Sequence, residues 1–154
     1  MLGRKSKYEK RDYLKQFKIG KATYSESLIY EAYGGLQNDG IMLAVYYDVD
    51  AAKIIHQLDS WEKINDSPTI SSILKNVSSY FGLDFVIPEI ASGNFFLYDN
   101  SQHKELRSEA EMNTLLLHSE DVNFSLVVWD DEKHTIYTVS YTHLRAHETA
   151  ANLV

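Results

Sequence analysis

The sequence predicts an α+β domain in which a mixed or mainly antiparallel sheet of about five strands carries helices packed on one face. An unbroken apolar run at 41–47 and a strand-like run at 124–129 have the length of strands rather than helices. Around and between them lie segments with helical spacing and explicit start signals, the clearest at Ser67-Pro68. The order of elements, two helices, a strand, two helices, two strands, a helix and two strands, lacks the strict alternation of a doubly wound fold.

Residues 1–21 are polar and lysine-rich, with Tyr8, Tyr13, Leu14 and Phe17 as a narrow apolar stripe, which predicts a frayed helix or a partly disordered arm. Thr23-x-x-Glu26 has the form of a capping box, and Leu28, Ile29, Ala32 and Tyr33 follow at helical spacing until Gly34-Gly35. Gln37-Asn38-Asp39-Gly40 is turn chemistry, and the run at 41–47 is then a central strand buried on both faces. Asp50 caps a helix with Ile54, Leu58 and Trp61 on one side, Ile55 beside them and His56 opposite.

Ser67 as N-cap and Pro68 at the first helical position open a helix with Ile70, Ile73, Leu74, Val77 and Phe81 inward, ending at Gly82. Residues 83–87 alternate like a strand, 88–93 break it, and 94–98 read as its antiparallel neighbour. From 104 to 118 good helix formers and the box Ser108-x-x-Glu111 predict a helix with Leu106, Ala110 and Leu117 inward. Strands at 124–129 and 134–138 then flank Asp130-Asp131-Glu132-Lys133, the composition of an exposed hairpin turn.

The chain has 154 residues, no cysteine and a formal net charge of −7. Without cysteine there is neither a disulfide framework nor a thiolate zinc site, which points to a reducing compartment. The N-terminus has no apolar signal region and no stretch approaches the length of a membrane span, so no membrane association is expected. Charge is uneven. Arg4, Lys5, Lys7, Lys10, Arg11, Lys15, Lys18 and Lys21 against Glu9 and Asp12 give +6 through residue 21, so the remainder carries −13.

Residues 139–149, VSYTHLRAHET, resemble a translated transposon end and adapter used to prepare sequencing libraries, and Asn152-Leu153-Val154 resembles the constant segment that follows. The resemblance implies a non-native tail over 139–154, and the division of charge leaves a basic arm over 1–21 and an acidic domain over 22–138. Such scars are set aside in fold reasoning, which removes His143, Arg145 and His147 from any candidate site.

Two strands end in carboxylates: MLAVYYDVD at 42–50 and LVVWDD at 126–131. This pairing resembles the first and last motifs of the haloacid dehalogenase-like phosphohydrolases. The resemblance implies Asp48 as nucleophile, Asp50 as general acid/base, Asp130 and Asp131 as magnesium ligands, Lys75 or Lys104 as the family's lysine, and a parallel sheet. Read on their own, Asp50 caps a helix and Asp130-Asp131 make a turn. His56, His103, His118 and His134 have no ligand spacing, and no serine elbow or phosphate loop exists, so no metal, cofactor or catalytic residue is expected.

The basic arm interleaves cations with Tyr8, Tyr13 and Phe17, a mixture that can neutralise phosphates and stack on bases, as in a nucleic-acid-binding accessory protein. The acidic body offers Asp48, Asp50, Asp59 and Glu62 around one helix, Glu105, Glu109, Glu111, Glu120 and Asp121 around another, and Asp130, Asp131 and Glu132 in the turn. Spaced carboxylates on a rigid surface imitate a row of phosphates and steer a protein into a basic groove. Small, acidic, cysteine-free and without catalytic motif, the chain is similar in general character to the anti-CRISPR proteins of phages and mobile elements. The resemblance implies a non-enzymatic inhibitor of a type II RNA-guided nuclease or its guide complex, acting in the bacterial cytoplasm.

Overall fold

A computed structural model describes residues 4–6, 13–34, 39–64, 67–81, 87–118 and 122–143. The apolar run at 41–47 lies within β3 (Asp39–Tyr47), which pairs with β2 (Glu26–Gly34) on one edge and β8 (Thr135–His143) on the other. Beyond β8 come β7 (Val122–Asp130) and β5 (Gly93–Asp99). The outer edge of β5 carries two short strands, β4 (Glu62–Lys63) and β6 (Lys104–Leu106), and β1 (Arg4–Ser6) borders β2 at the opposite end. All eight described strands pair antiparallel in one sheet. The fold is α+β.

Both faces of this sheet are covered, which is why the run at 41–47 of β3 is apolar throughout instead of alternating. On one face lie the two longer helices, α2 (Pro68–Phe81) and α3 (Glu109–His118). Their Ile70, Ile73, Leu74, Val77, Met112, Leu115 and Leu116 share a core with Leu43, Val45, Phe95, Leu126, Val128 and Val139. The other face, with Met42, Ala44, Val127, Trp129 and Ile136, is packed by Leu14, Phe17 and Ile19 from around a 3-10 turn (Lys15–Phe17), and by Leu58 and Trp61 at α1 (Ile55–Ser60). The sheet therefore carries its two longer helices on one face and a second, thinner layer that includes α1 on the other, and β3 is buried on both faces as the sequence predicts.

Local start signals act as read in three places. The Asp50 carboxylate accepts the Ala52 N–H at 3.1 Å and opens a 3-10 turn (Ala51–Lys53) just before α1. Ser67 Oγ accepts the Ile70 N–H at 3.2 Å as the N-cap of α2. Ser108 and Glu111 exchange both bonds of a capping box at 3.2 and 3.1 Å.

Four expectations are corrected. The helix expected after Thr23 is β2. Antiparallel β3 needs a hydrogen-bond partner on each edge, and the β-branched and aromatic content of 29–33 suits a strand, so pairing overrides helical spacing. Thr23 is not a cap; its carbonyl accepts the Asp50 N–H at 3.1 Å. The described residues of the arm are no frayed helix: Arg4–Ser6 pairs with β2, and Leu14, Phe17 and Ile19 are buried, while 1–3 and 7–12 lie outside the described residues. The helix expected over 104–118 begins at Glu109, because Lys104–Leu106 pairs with β5, and Met112, Leu115 and Leu116 face inward while Ala110 is exposed. The hairpin expected between 83–87 and 94–98 is absent from the described pairings: β5 is taken by β7 on one edge and by β4 and β6 on the other, and Ile87 is buried in irregular chain. Residues 82–86 lie outside the described residues, as does the side chain of Leu117.

The last strand does not stop at Thr138. Val139 and Tyr141, in the segment resembling adapter, are buried and pair with Leu43 and Ile41 of β3 and with Leu126 and Phe124 of β7. The sheet domain thus extends to His143, and 144–154 lie outside the described residues. Among the described residues no helix is long and apolar enough to cross a membrane.

Candidate functional site

An antiparallel order brings alternate strand ends together. The register pairs Glu26 with Tyr47, Tyr46 with Ile136, Thr135 with Asp130 and Asp130 with Gly93, so all these ends share one pole of the sheet. Asp48, Asp50, Asp130, Asp131 and Glu132 therefore gather there from two distant parts of the chain. The connection is direct: the Val49 N–H donates to the His134 carbonyl at 2.9 Å. Glu26, Asp48, Asp50, Asp131 and Glu132 are exposed, against Lys21, Lys53 and Lys133 in the same segments.

Each of the four aspartates here is held by a donor. Asp48 sits in the left-handed region at φ 54° and accepts the Ser25 hydroxyl at 2.5 Å. Asp50 is committed to its 3-10 cap. Asp130, only 2% exposed, accepts the N–H groups of Glu132 and Lys133 at 3.0 and 3.2 Å, which closes the hairpin turn. Asp131 accepts the indole N–H of Trp129 at 3.3 Å, and its own N–H donates to Ser92 O at 3.0 Å. These bonds fix a rigid, negatively charged rim.

This arrangement differs from what the phosphohydrolase resemblance implies. That resemblance implies a parallel sheet, whereas every described pairing is antiparallel. No group of three or more His, Cys, Asp or Glu among the described residues is placed to hold a metal ion. Lys104 pairs with Asp99, at the opposite end of β5 from Gly93, and so lies away from the four aspartates; Lys75 lies on α2, in the wall of a cavity of about 440 Å³ with Ile87 and Glu89.

Glu62, Glu105, Glu109 and Glu111 are engaged internally. Arg107 donates to Glu62 at 3.0 Å, to Glu105 at 2.5 Å and to the Ser60 carbonyl at 3.1 Å. The two carboxylates hold its guanidinium pKa above the usual arginine value. Glu109, half-buried, accepts the hydroxyls of Ser67 and Thr69 and so ties the start of α3 to the start of α2. Two helix N-termini favour a carboxylate there. Glu111 is drawn below the usual carboxylate range, first by the Ser108 backbone N–H and then by that of Arg107. Asp59 is exposed on α1, while Glu120 and Asp121 lie outside the described residues. The charge expected around two helices is thus divided between an exposed pole and a sheet edge where Arg107 pairs with two of the carboxylates.

The described basic residues of 1–21 stand on two separate segments. Arg4 and Lys5 stand in β1 opposite Glu31 and Tyr30, and Lys15, Lys18 and Lys21 are exposed on the segment whose Leu14 and Phe17 enter the core. Phe17 is 4% exposed and closed to base stacking. Lys7, Lys10 and Arg11 lie outside the described residues. His56, His103 and His134 are exposed, and His143 stacks on Tyr141 at 6.3 Å. Sequence reasoning missed Ser25, which secures Asp48, and Arg107, which bridges two carboxylates 43 residues apart in the chain. Neither has a local motif; only the alternation Glu105-x-Arg107 hints that both side chains share one side of a strand end. Compared with protein-family models, curated proteins and solved structures, the chain has no match.

Proposed function

We propose that this protein is a non-enzymatic inhibitor that docks the acidic pole of its sheet into a basic, nucleic-acid-holding groove of a partner protein, as inhibitors of type II RNA-guided nucleases do. One observation carries the reading: five exposed carboxylates, Glu26, Asp48, Asp50, Asp131 and Glu132, stand on strand ends and turns of one antiparallel sheet. A rigid array of this kind competes with phosphates without having to be ordered on binding, and its field raises the rate of encounter with a cationic surface.

The test uses purified type II nuclease, with and without guide RNA, in binding and DNA-cleavage assays. The unmodified protein is expected to bind and to slow cleavage. A variant with Asp131→Asn and Glu132→Lys keeps the Trp129 acceptor but reverses the rim, and should bind about tenfold more weakly. Absence of binding and inhibition by the unmodified protein, or an unchanged affinity of the variant, refutes the proposal.

A further inference from the structure

The cavity beside Lys75 lies between α2 and residues 87–90, over the core that α2 shares with the sheet. Ser71, Leu74 and Lys75 are spaced i, i+3 and i+4, so a single face of α2 forms one wall. The facing wall is fixed at both ends. The Ile87 N–H donates to Ser78 Oγ at 3.0 Å, and Ile90 packs so closely on Gly93 that a Cβ built there lies 3.2 Å from Ile90 Cγ2. Pro88 restricts the backbone between these two points. Ile64, Leu74, Ile87 and Ile90 are buried and give the cavity an apolar floor. Three polar side chains stand around it: half-buried Ser72 and exposed Lys75 from α2, and exposed Glu89 from the facing wall. Among the described residues none of these three side chains has a hydrogen bond or an ion pair, and Lys75 and Glu89 do not pair with each other.

A preformed apolar cleft of about 440 Å³ with a few convergent polar groups has the size and make-up of a small-molecule site. Its two walls define the ligand. The aliphatic floor takes an apolar body, the Lys75 ammonium and Ser72 hydroxyl donate to a carboxylate, and Glu89 accepts from an ammonium. An apolar acid would meet Lys75 but also the like charge of Glu89, and an apolar amine would meet the reverse conflict. A zwitterion satisfies both walls. We propose that this cavity binds a free α-amino acid with a large apolar side chain, its carboxylate on Lys75 and Ser72 and its ammonium on Glu89. A residue in a peptide has an amide in place of one or both of these charges, which makes the free amino acid the better ligand. None of the five exposed carboxylates of the acidic pole lines the cavity, so the assignment does not depend on the proposed function.

The full chain, labelled for amide NMR, is titrated to millimolar concentration with L-phenylalanine, L-leucine, L-alanine, 3-phenylpropionate and phenethylamine. L-phenylalanine or L-leucine should bind, with amide shifts centred on residues 71–75 and 87–90. The two phenyl compounds that lack one charge should each bind about fivefold more weakly than L-phenylalanine, the scale of an exposed ion pair. L-alanine, which leaves the floor uncovered, should bind at least about tenfold more weakly. Lys75→Met should make phenethylamine as good a ligand as L-phenylalanine, and Glu89→Gln should do the same for 3-phenylpropionate. Both changes are at exposed positions, and an unchanged amide spectrum elsewhere shows that the variants are folded. The variant with Asp131→Asn and Glu132→Lys should bind L-phenylalanine unchanged, so this site and the docking pole stand or fall separately. Absence of shifts at 71–75 and 87–90 with both apolar amino acids overturns the assignment. So does equal binding of L-phenylalanine and its single-charge analogues to the unmodified protein, or a preference over phenethylamine that survives Lys75→Met.

Discussion

A Cβ built on Gly93 lies 1.9 Å from the Trp129 carbonyl oxygen, so β5 can lie against β7 only with glycine at this position. Gly93→Ala should cost about 1–3 kcal/mol, read as a lower midpoint in urea unfolding. Tyr137 is a second sensitive residue: burial first, then Asp130 and Tyr47, raises its pKa above the ordinary 10.0. A raised folded-state value means that stability is full below pH 10.0 and is lost as the pH climbs toward the folded value. Unfolding midpoints on the two sides of pH 10.0 should fall with rising pH, and Tyr137→Phe should flatten that fall. Glu111 has the opposite sign. Its lowered pKa stabilises α3 above the ordinary 4.5, and this contribution disappears as the pH drops through the folded value. Ser108→Ala, which breaks the same box, should cost about 1 kcal/mol at neutral pH and less in acid, measured by thermal unfolding at both. The box at Ser108 was legible in the sequence because it is closed within four residues; the Gly93 contact joins residues 36 apart and was not.

At the scale of elements, β8 decides most. It joins β3 to β7, and its second half belongs to the segment that resembles adapter sequence. A chain ending at Thr138 loses Val139 and Tyr141 from the core and frees the edges of β3 and β7 at that end. It should melt without a cooperative transition, whereas a chain ending at His143 should melt like the full protein; equal melting curves for the two would remove residues 139–143 from the fold. The opposite lesson comes from β2. Its residues carry helical spacing and a cap-like start, yet β3 has an open edge that only a strand can satisfy. Hydrophobic periodicity over a few residues cannot weigh that demand, because the demand is made by another segment. The helix at Pro68–Phe81 was readable because its cap, proline and apolar stripe all lie within it.

For the whole molecule, what matters is where the charge of −7 is placed. Arg107, with Lys63 and Lys104, offsets Glu62 and Glu105 at the edge formed by β4 and β6, and the pole at the ends of β3 and β7 keeps its exposed carboxylates. If that pole meets a basic groove, the association rate should fall steeply as ionic strength rises, while the dissociation rate changes little. Stopped-flow measurement at low and high salt checks this, and a salt-independent association rate removes the electrostatic mechanism. The sequence by itself determined the α+β class, the central apolar strand, the closing hairpin and three capped starts, because burial periodicity and capping act over a few neighbouring residues. Tertiary structure alone decided that β2 is a strand, that the lysine-rich segment seals a second core, and which carboxylates remain free. Those outcomes depend on hydrogen bonds and contacts between segments tens of residues apart, and neither composition nor spacing contains the register that brings them together.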